Sequence, residues 1–317
     1  MIAADQPGPV LDATSAPSVT VLIPTHQRPE KMRRALRSVI AQEYPGELKA
    51  IVVFDRSEPD LSLIDEFAPF PVRVMANERT PGLCGGRNTG ILAADTDFVA
   101  FLDDDDEWFP GKLAAQAEVI VADPTVEFVS TSMLVDFKGT ESERLAGRDQ
   151  VTYDELLASR MAMLHSSSYL IRRAALLDGI GLMSEVIPGG VYEDWDVLLR
   201  AAKRRPIKHV DRPLVRIEWG RSSYFDDQWE TKVAAMHWLL ENYPDLRRSP
   251  VGTARLYGQL AFAQAALRRR REAVRLAGRT FRTNWREPRS VLALAVAAGL
   301  VSASTVMRVL HERGRGV

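Results

Sequence analysis

One cysteine, Cys84, is all that 317 residues contain, and a lone thiol excludes both a disulfide framework and a cysteine-based zinc cluster within the chain. The scarcity fits a reducing cytoplasm. A secretory leader is also missing, since residues 1–17 carry Asp5, Asp12 and several prolines and glycines where a basic start and an apolar run would be needed. That segment reads as a disordered lead-in. Long apolar runs are absent too: the longest, Val291 to Val301, falls far short of the ~20 residues that span a bilayer, which excludes an integral membrane protein. Net charge is scarce overall, at -1, but unevenly spread. From Val251 onward there are thirteen arginines against three glutamates, which leaves -11 for residues 1–250. An acidic body is the wrong surface for a nucleic acid, whose phosphates need a basic groove. A basic tail suits anionic lipid headgroups or an acidic partner, or it is simply a solvated helix face.

What is present is an alternation of short apolar runs and amphipathic segments. Ser18 to Ile23 is β-branched and stops at Pro24, and Met32, Leu36, Val39 and Ile40 then recur at helical spacing within 30–42. Leu48 to Phe54 is nearly continuously apolar, as in a central parallel strand covered on both faces, and ends in Asp55. Val72 to Ala76 predicts a third strand, Gly86 to Ala94 a helix, and Phe98 to Leu102 a fourth strand. Beyond these lie a strand from Phe128 to Leu134, a variable stretch over 136–149, a helix from Tyr153 and an apolar strand over 165–171. Strands alternating with helices predict an α/β fold with an open, doubly wound sheet that binds ligands at its strand carboxyl ends. We expect one domain over 18–243, a break at 242–250, and a basic α-helical appendage over 251–317. Its helices resemble a single tetratricopeptide-like hairpin.

Two acidic clusters carry the chemistry. Asp103, Asp104, Asp105, Asp106 and Glu107 follow the fourth strand directly, and five adjacent acids repel one another unless a cation or hydrogen-bond donors offset them. Carboxylates at alternate positions there can hold a hard divalent ion that bridges diphosphate oxygens and stabilises their departure. A solvated loop that caps the helix after Pro110 accounts for the same residues without a metal. The second cluster is Glu193, Asp194 and Asp196. Acids at a helix start need no explanation beyond the macrodipole. Taken together, however, two acidic sites meet the needs of displacement at an anomeric carbon, with a base for the acceptor proton on one face and a metal-held diphosphate on the other.

Several ordered motifs in residues 18–220 resemble the inverting family 2 glycosyltransferases, which have the GT-A fold. Ile23-Pro24-Thr25-His26-Gln27-Arg28-Pro29 is similar to the family's first strand-loop, and the resemblance implies that Pro24, Thr25 and Arg28 line the nucleotide pocket. Asn is commoner in the family where Gln27 stands. Asp55 matches the acid that hydrogen-bonds the base, although the family usually has Gly in place of Arg56. Gly82 to Gly90 resembles the Gly-rich segment, which implies Arg87 and Asn88 near the diphosphate and sugar; tight turns alone also call for such glycines. The metal motif maps to Asp103 and Asp105, with Asp104 at the ribose or sugar. By the same resemblance Asp194 is the general base and Glu193 its neighbour near the acceptor. Trp195 and Trp108 are candidate acceptor surfaces, with core packing the other reading of Trp195. The family's late histidine has no counterpart in 215–223, where Glu218 and Arg221 stand nearby. His165 and His209 read as satisfied structural histidines.

The resemblance therefore implies a metal-dependent, inverting glycosyltransferase using Mn or Mg. It would move a sugar from a nucleotide diphosphate donor, with UDP-sugars favoured, to a small-molecule, glycan or lipid-linked acceptor hydroxyl. The Gln-x-x-Arg-Trp motif of processive members is missing, so single additions at the cytoplasmic face are expected, with the basic tail in peripheral contact with an anionic membrane. The competing readings are a sugar nucleotidyltransferase, which lacks its Gly-rich first loop here, and a non-catalytic carbohydrate-binding protein.

Overall fold

The computed structural model describes residues 11–137, 139–219 and 228–312. The first ten residues of the expected lead-in and the stretch from Gly220 to Ser223, with Arg221, lie outside them. Residues 11–17 are not the disordered segment expected. The Asp12 carboxylate closes a turn there by accepting hydrogen bonds from the backbone amides of Thr14 and Ser15, as short acidic side chains do in Asx turns.

The first half alternates as its pattern predicts: β1 (Val19–Thr25), α1 (Pro29–Ile40), β2 (Leu48–Phe54), α2 (Ser62–Glu66), β3 (Val72–Ala76), α3 (Leu83–Ala93) and β4 (Phe98–Phe101). Next come β5 (Glu107–Trp108), α4 (Lys112–Ala122), β6 (Phe128–Phe137), β7 (Thr140–Arg144), β8 (Gln150–Val151) and α5 (Tyr153–Ala158). β9 (Leu170–Arg172), α6 (Arg173–Asp178), α7 (Glu193–Arg204) and β10 (Ile207–Trp219) complete the sheet region. Five helices close the described chain: α8 (Trp229–Asn242), α9 (Pro250–Ala266), α10 (Arg270–Thr283), α11 (Arg289–Ala297) and α12 (Ala303–Glu312).

The main sheet path runs β3-β2-β1-β4-β9-β6-β10-β5. β1 is parallel to both β2 and β4, whereas β9 runs antiparallel between β4 and β6. Because the chain leaves β1 toward β2 on one side and returns as β4 on the other, a crevice opens at their carboxyl ends. This is the switch point at which open α/β sheets bind ligands. Both faces of the sheet are covered. Val19, Val21 and Ile23 pack with Met32, Leu36 and Val39 of α1, while Leu22 packs on the opposite face with Ile91 of α3.

Two local expectations need correction. Residues 136–149 hold β7, antiparallel to β6, because the turn at Gly139 takes a positive φ of 84° and lets the chain fold straight back. Residues 165–171 are not one strand. They form a 3₁₀ turn, Ser166–Ser168, followed by the three-residue β9. At 242–250 the backbone does pass through a short 3₁₀ segment, Pro244–Arg248, yet the core does not break. Leu256, Leu260 and Phe262 of α9 share one hydrophobic cluster with Leu156, Trp195 and Leu198 of the body.

Candidate active site

The crevice is built from strand ends. Thr25, the last residue of β1, donates from Oγ1 to Asp104 at 2.8 Å and so crosses the switch point. Arg28 reaches over it to Asp104 at 3.2 Å and Asp105 at 2.7 Å. Pro24 lies behind, close enough to Gly86 that an added Cβ there would sit 3.2 Å from its own. At Gly85 an added Cβ would lie 1.8 Å from the Thr80 carbonyl oxygen. Gly86 therefore lets α3 press against β1 and Gly85 lets it fold close over the Thr80 loop, packing roles that the sequence did not distinguish from phosphate binding.

That close approach decides what Arg87 and Asn88 do. Arg87 is fully buried, and it donates to Asp103 at 2.6 Å, to Ser166 at 2.9 Å and to Glu193 at 3.1 Å. Asn88 is spent on the loop before α7, donating to the Met183 carbonyl and to Glu185 and accepting from the Met183 amide. Neither side chain is open to a diphosphate as expected. They hold the crevice together. Asp55 likewise accepts from Asn77, from the Gly82 amide and from Arg56. Burial works to raise its carboxyl, but those donors outweigh it and hold the group low.

In the first acidic cluster the charge is only partly offset. Burial, with Asp105 and Asp103 adding to it, pushes Asp104 up to about 6 against the pull of Thr25 and Arg28. Asp106 is raised well above the ordinary carboxylate range by complete burial and by its three aspartate neighbours. Asp103 stays low despite burial because Arg87 and His165 favour its charged form. A metal pair of Asp103 and Asp105 was expected. The side chains that converge are instead Asp103, Asp106 and His165, whose donor atoms all lie within 4.8 Å of one another, while Asp105 turns toward Arg28. The two carboxylate oxygens suit Mn or Mg, and the imidazole nitrogen leans the set toward Mn, a transition metal. His165 had read as structural, and no local pattern betrays its arrival: the turn at Ser166–Ser168 brings it over the acidic run, where Ser167 donates to Asp106. His209 is the satisfied structural histidine expected, between Ser130 and Ser132.

The second cluster opens α7. Asp194 accepts two hydrogen bonds from Arg160, at 2.6 and 3.1 Å, and Arg160 was not foreseen. Burial, reinforced by Asp194 and countered by Arg87, pushes Glu193 up to about 7. Of the two indoles, Trp195 takes the core-packing reading and Trp108 is a correction. Trp108 and Trp195 are only 4% and 3% exposed, and their N–H groups are spent on the Ser167 and Leu156 carbonyls. They pack beneath the site, where no acceptor ring can stack on them. A cavity of about 630 Å³ opens beside Asp105, lined among others by Arg34, Glu107, Asp136, Arg216 and Trp219. Its charges and single indole suit a hydroxyl-rich ring better than an apolar one.

A family model described as "Glycosyl transferase family 2" matches residues 20–178. An Escherichia coli relative, UDP-Glc:alpha-D-GlcNAc-diphosphoundecaprenol beta-1,3-glucosyltransferase WfgD, is 24% identical over 139 residues, 44% of this chain and 54% of its own length. The chain thus spans about half of that relative. S. aureus TarS 1-349 in complex with UDP-GlcNAc superposes with a TM-score of 0.58 over 89% of this chain and 91% of that one, at 16% identity. Mannosyltransferase PcManGT from Pyrobaculum calidifontis, in complex with GDP-Man and Mn2+, gives 0.55 over 95% and 90%, at 20% identity. At these identities the likeness is one of fold, and the fold is GT-A.

Proposed function

This chain belongs to glycosyl transferase family 2, and from that premise we propose that it moves a sugar from a nucleotide diphosphate donor to an acceptor hydroxyl with inversion at the anomeric carbon. One observation carries the reading. Two acidic clusters, Asp103–Asp106 and Glu193–Asp194, are drawn to a single crevice by the buried Arg87 between them. In the proposed mechanism Asp194 takes the acceptor proton as the hydroxyl oxygen attacks, and the diphosphate leaves from the opposite face. Arg28, 42% exposed at the mouth of the crevice, offers its guanidinium to the departing phosphates. A divalent ion held by Asp103 with Asp106 and His165, or by Asp105 once Arg28 releases it, supplies Lewis-acid stabilisation of the same charge when bound.

The acceptor we favour is a lipid-linked glycan precursor of a bacterial cell, because the Escherichia coli relative is named for a diphosphoundecaprenol acceptor and a UDP-Glc donor. A UDP-sugar is the favoured donor on the same ground, and the TarS structure holds UDP-GlcNAc. The test is release of nucleotide diphosphate from a panel of nucleotide sugars in the presence of manganese. Asp194→Ala should lower turnover by about 10²- to 10⁴-fold. Asp105→Ala and His165→Ala should each raise the manganese requirement about ten-fold if both reach the ion. Intact turnover in Asp194→Ala and Asp105→Ala alike would remove the mechanism. Nucleotide-sugar binding by calorimetry with no product would leave a carbohydrate-binding protein on the same fold.

A further inference from the structure

Helix α10 buries Ala273, Leu276, Ala277 and Thr280 against its neighbours, which uses one face of the helix. Its outer face is not the plain charged surface that such a helix ordinarily shows to water. Val274 and Phe281, seven residues apart, stand on one stripe and are 52% and 57% exposed; Trp285, just past the helix, is 65% exposed. Arg271, Arg275, Arg279, Arg282 and Arg286 interleave with them, all exposed. Helix α11 and the turn after it add two more exposed apolar residues, Val291 at 66% and Leu300 at 83%, without arginines between them. Single apolar residues on a surface need no explanation. A run of large ones framed by guanidinium groups does.

The charge selects the occupant. Thirteen arginines against three glutamates follow Val251, and two of those glutamates are already engaged, Glu272 with Arg275 and Glu287 with Arg289. A second copy of the chain docked symmetrically on this face would set arginine against arginine. A nucleic acid would use the guanidinium groups but leave the valine, leucine and phenylalanine tips wet, and the body beside it carries a large acidic excess. An anionic bilayer uses both parts, since phosphodiester headgroups pair with arginine while tryptophan and aliphatic tips enter the headgroup boundary. We infer that the outer face of α10, with the segment through Leu300, is a docking surface for anionic phospholipid that holds the protein flat on a membrane. This surface is independent of the transferase reading, because none of its residues belongs to the crevice.

The test is flotation of the full-length protein with vesicles of equal parts phosphatidylglycerol and phosphatidylcholine, compared with phosphatidylcholine alone. The expected result is binding to the anionic vesicles only, weakening as salt rises. Phe281→Ser with Trp285→Ser should lower partitioning about ten-fold or more. Arg271→Gln with Arg282→Gln should lower it about five-fold per arginine and flatten the salt dependence. All four positions are exposed, so unfolding temperature should hold in each variant and separates lost binding from lost fold. Failure of the wild type to float with anionic vesicles overturns the proposal, as does equal partitioning of wild type and variants. Lipid-free dimerisation abolished by Trp285→Ser would make the face a self-association surface instead, and retention on polyglutamate without vesicle binding would assign it to an acidic protein.

Discussion

The guanidinium of Arg87, fully buried, donates to Glu193 at 3.1 Å across 106 residues of chain, and its other terminal nitrogen holds Asp103 at 2.6 Å. One cation therefore ties the end of β4 to the start of α7. Its charge is favoured strongly in spite of burial, because Asp103 and Glu193 both face it.

Removing that cation leaves Asp103 with only His165 and Ser166 to favour its charge, and drives the already raised Glu193 higher still. Arg87→Met should destabilise the protein by about 3–5 kcal/mol, the usual effect of breaking a buried ion pair from one side. Adding Glu193→Gln should restore part of the loss, since the amide neither has to take a proton nor sits charged beside Asp103. Urea denaturation of the two single variants and the double variant measures this. Strict additivity would mean that Arg87 and Glu193 do not sense each other.

Lys112 is the opposite case, a buried cation with no carboxylate. Its Nζ donates to Gln116 at 2.8 Å and lies 3.8 Å above the Trp108 ring. Burial drives its ammonium well below the ordinary lysine range, because a ring face returns only about 2 kcal/mol to a desolvated cation. The folded chain gives up this proton at a lower pH than the unfolded chain does, so the cost of burying the group is greatest below the folded value and fades as pH climbs toward the unfolded value near 10.5. Lys112→Met, which fills the same space without the charge, should be more stable than wild type by about 1 kcal/mol at pH 7, after allowing for the bond lost to Gln116. The advantage should shrink or reverse by pH 10. Equal differences at the two pH values in thermal melts would show that the lysine keeps its proton.

The parallel half of the sheet was legible because each strand is a continuous apolar run buried on both faces, which local composition reveals. So was the acidic run, since like charges in sequence are like charges in space. Side-chain direction was not legible. Arg87 looked like a phosphate ligand, but Gly86 and Gly90 bring α3 close against Pro24 and Leu22 of β1, and the guanidinium lies fully buried. His165 and Arg160 come to the two acidic clusters only through long-range folding, so no spacing announces them. The departures at Gln27 and Arg56 are instructive, as both take a positive φ, 54° and 48°. The loops keep a left-handed backbone that Asn and Gly adopt with less strain, and here Gln and Arg carry it.

Arg160 donates from Nε and Nη2 to the same oxygen of Asp194, and its guanidinium also lies 5.0 Å from the centre of the Tyr192 ring. The other oxygen of Asp194 accepts from the Trp195 amide at the opening of α7. Both carboxylate oxygens are thus fixed, one by the helix and one by a planar fork that itself rests on an aromatic face. If Asp194 is the base, that fork is what aims it. A misplacement of about 1 Å at a reacting group lowers rate by about 10²-fold, so Arg160→Gln should lower kcat by about 10- to 100-fold while the donor KM stays near that of wild type. The side chain belongs to the α7 side of the crevice and not to the strand ends Thr25 and Asp55, which is why donor binding should be spared. Arg160→Lys, which returns the charge but not the fork, should recover only part of kcat. A raised donor KM with unchanged kcat would instead place Arg160 among the donor-binding groups, and full activity in Arg160→Gln would show that the base needs no such support.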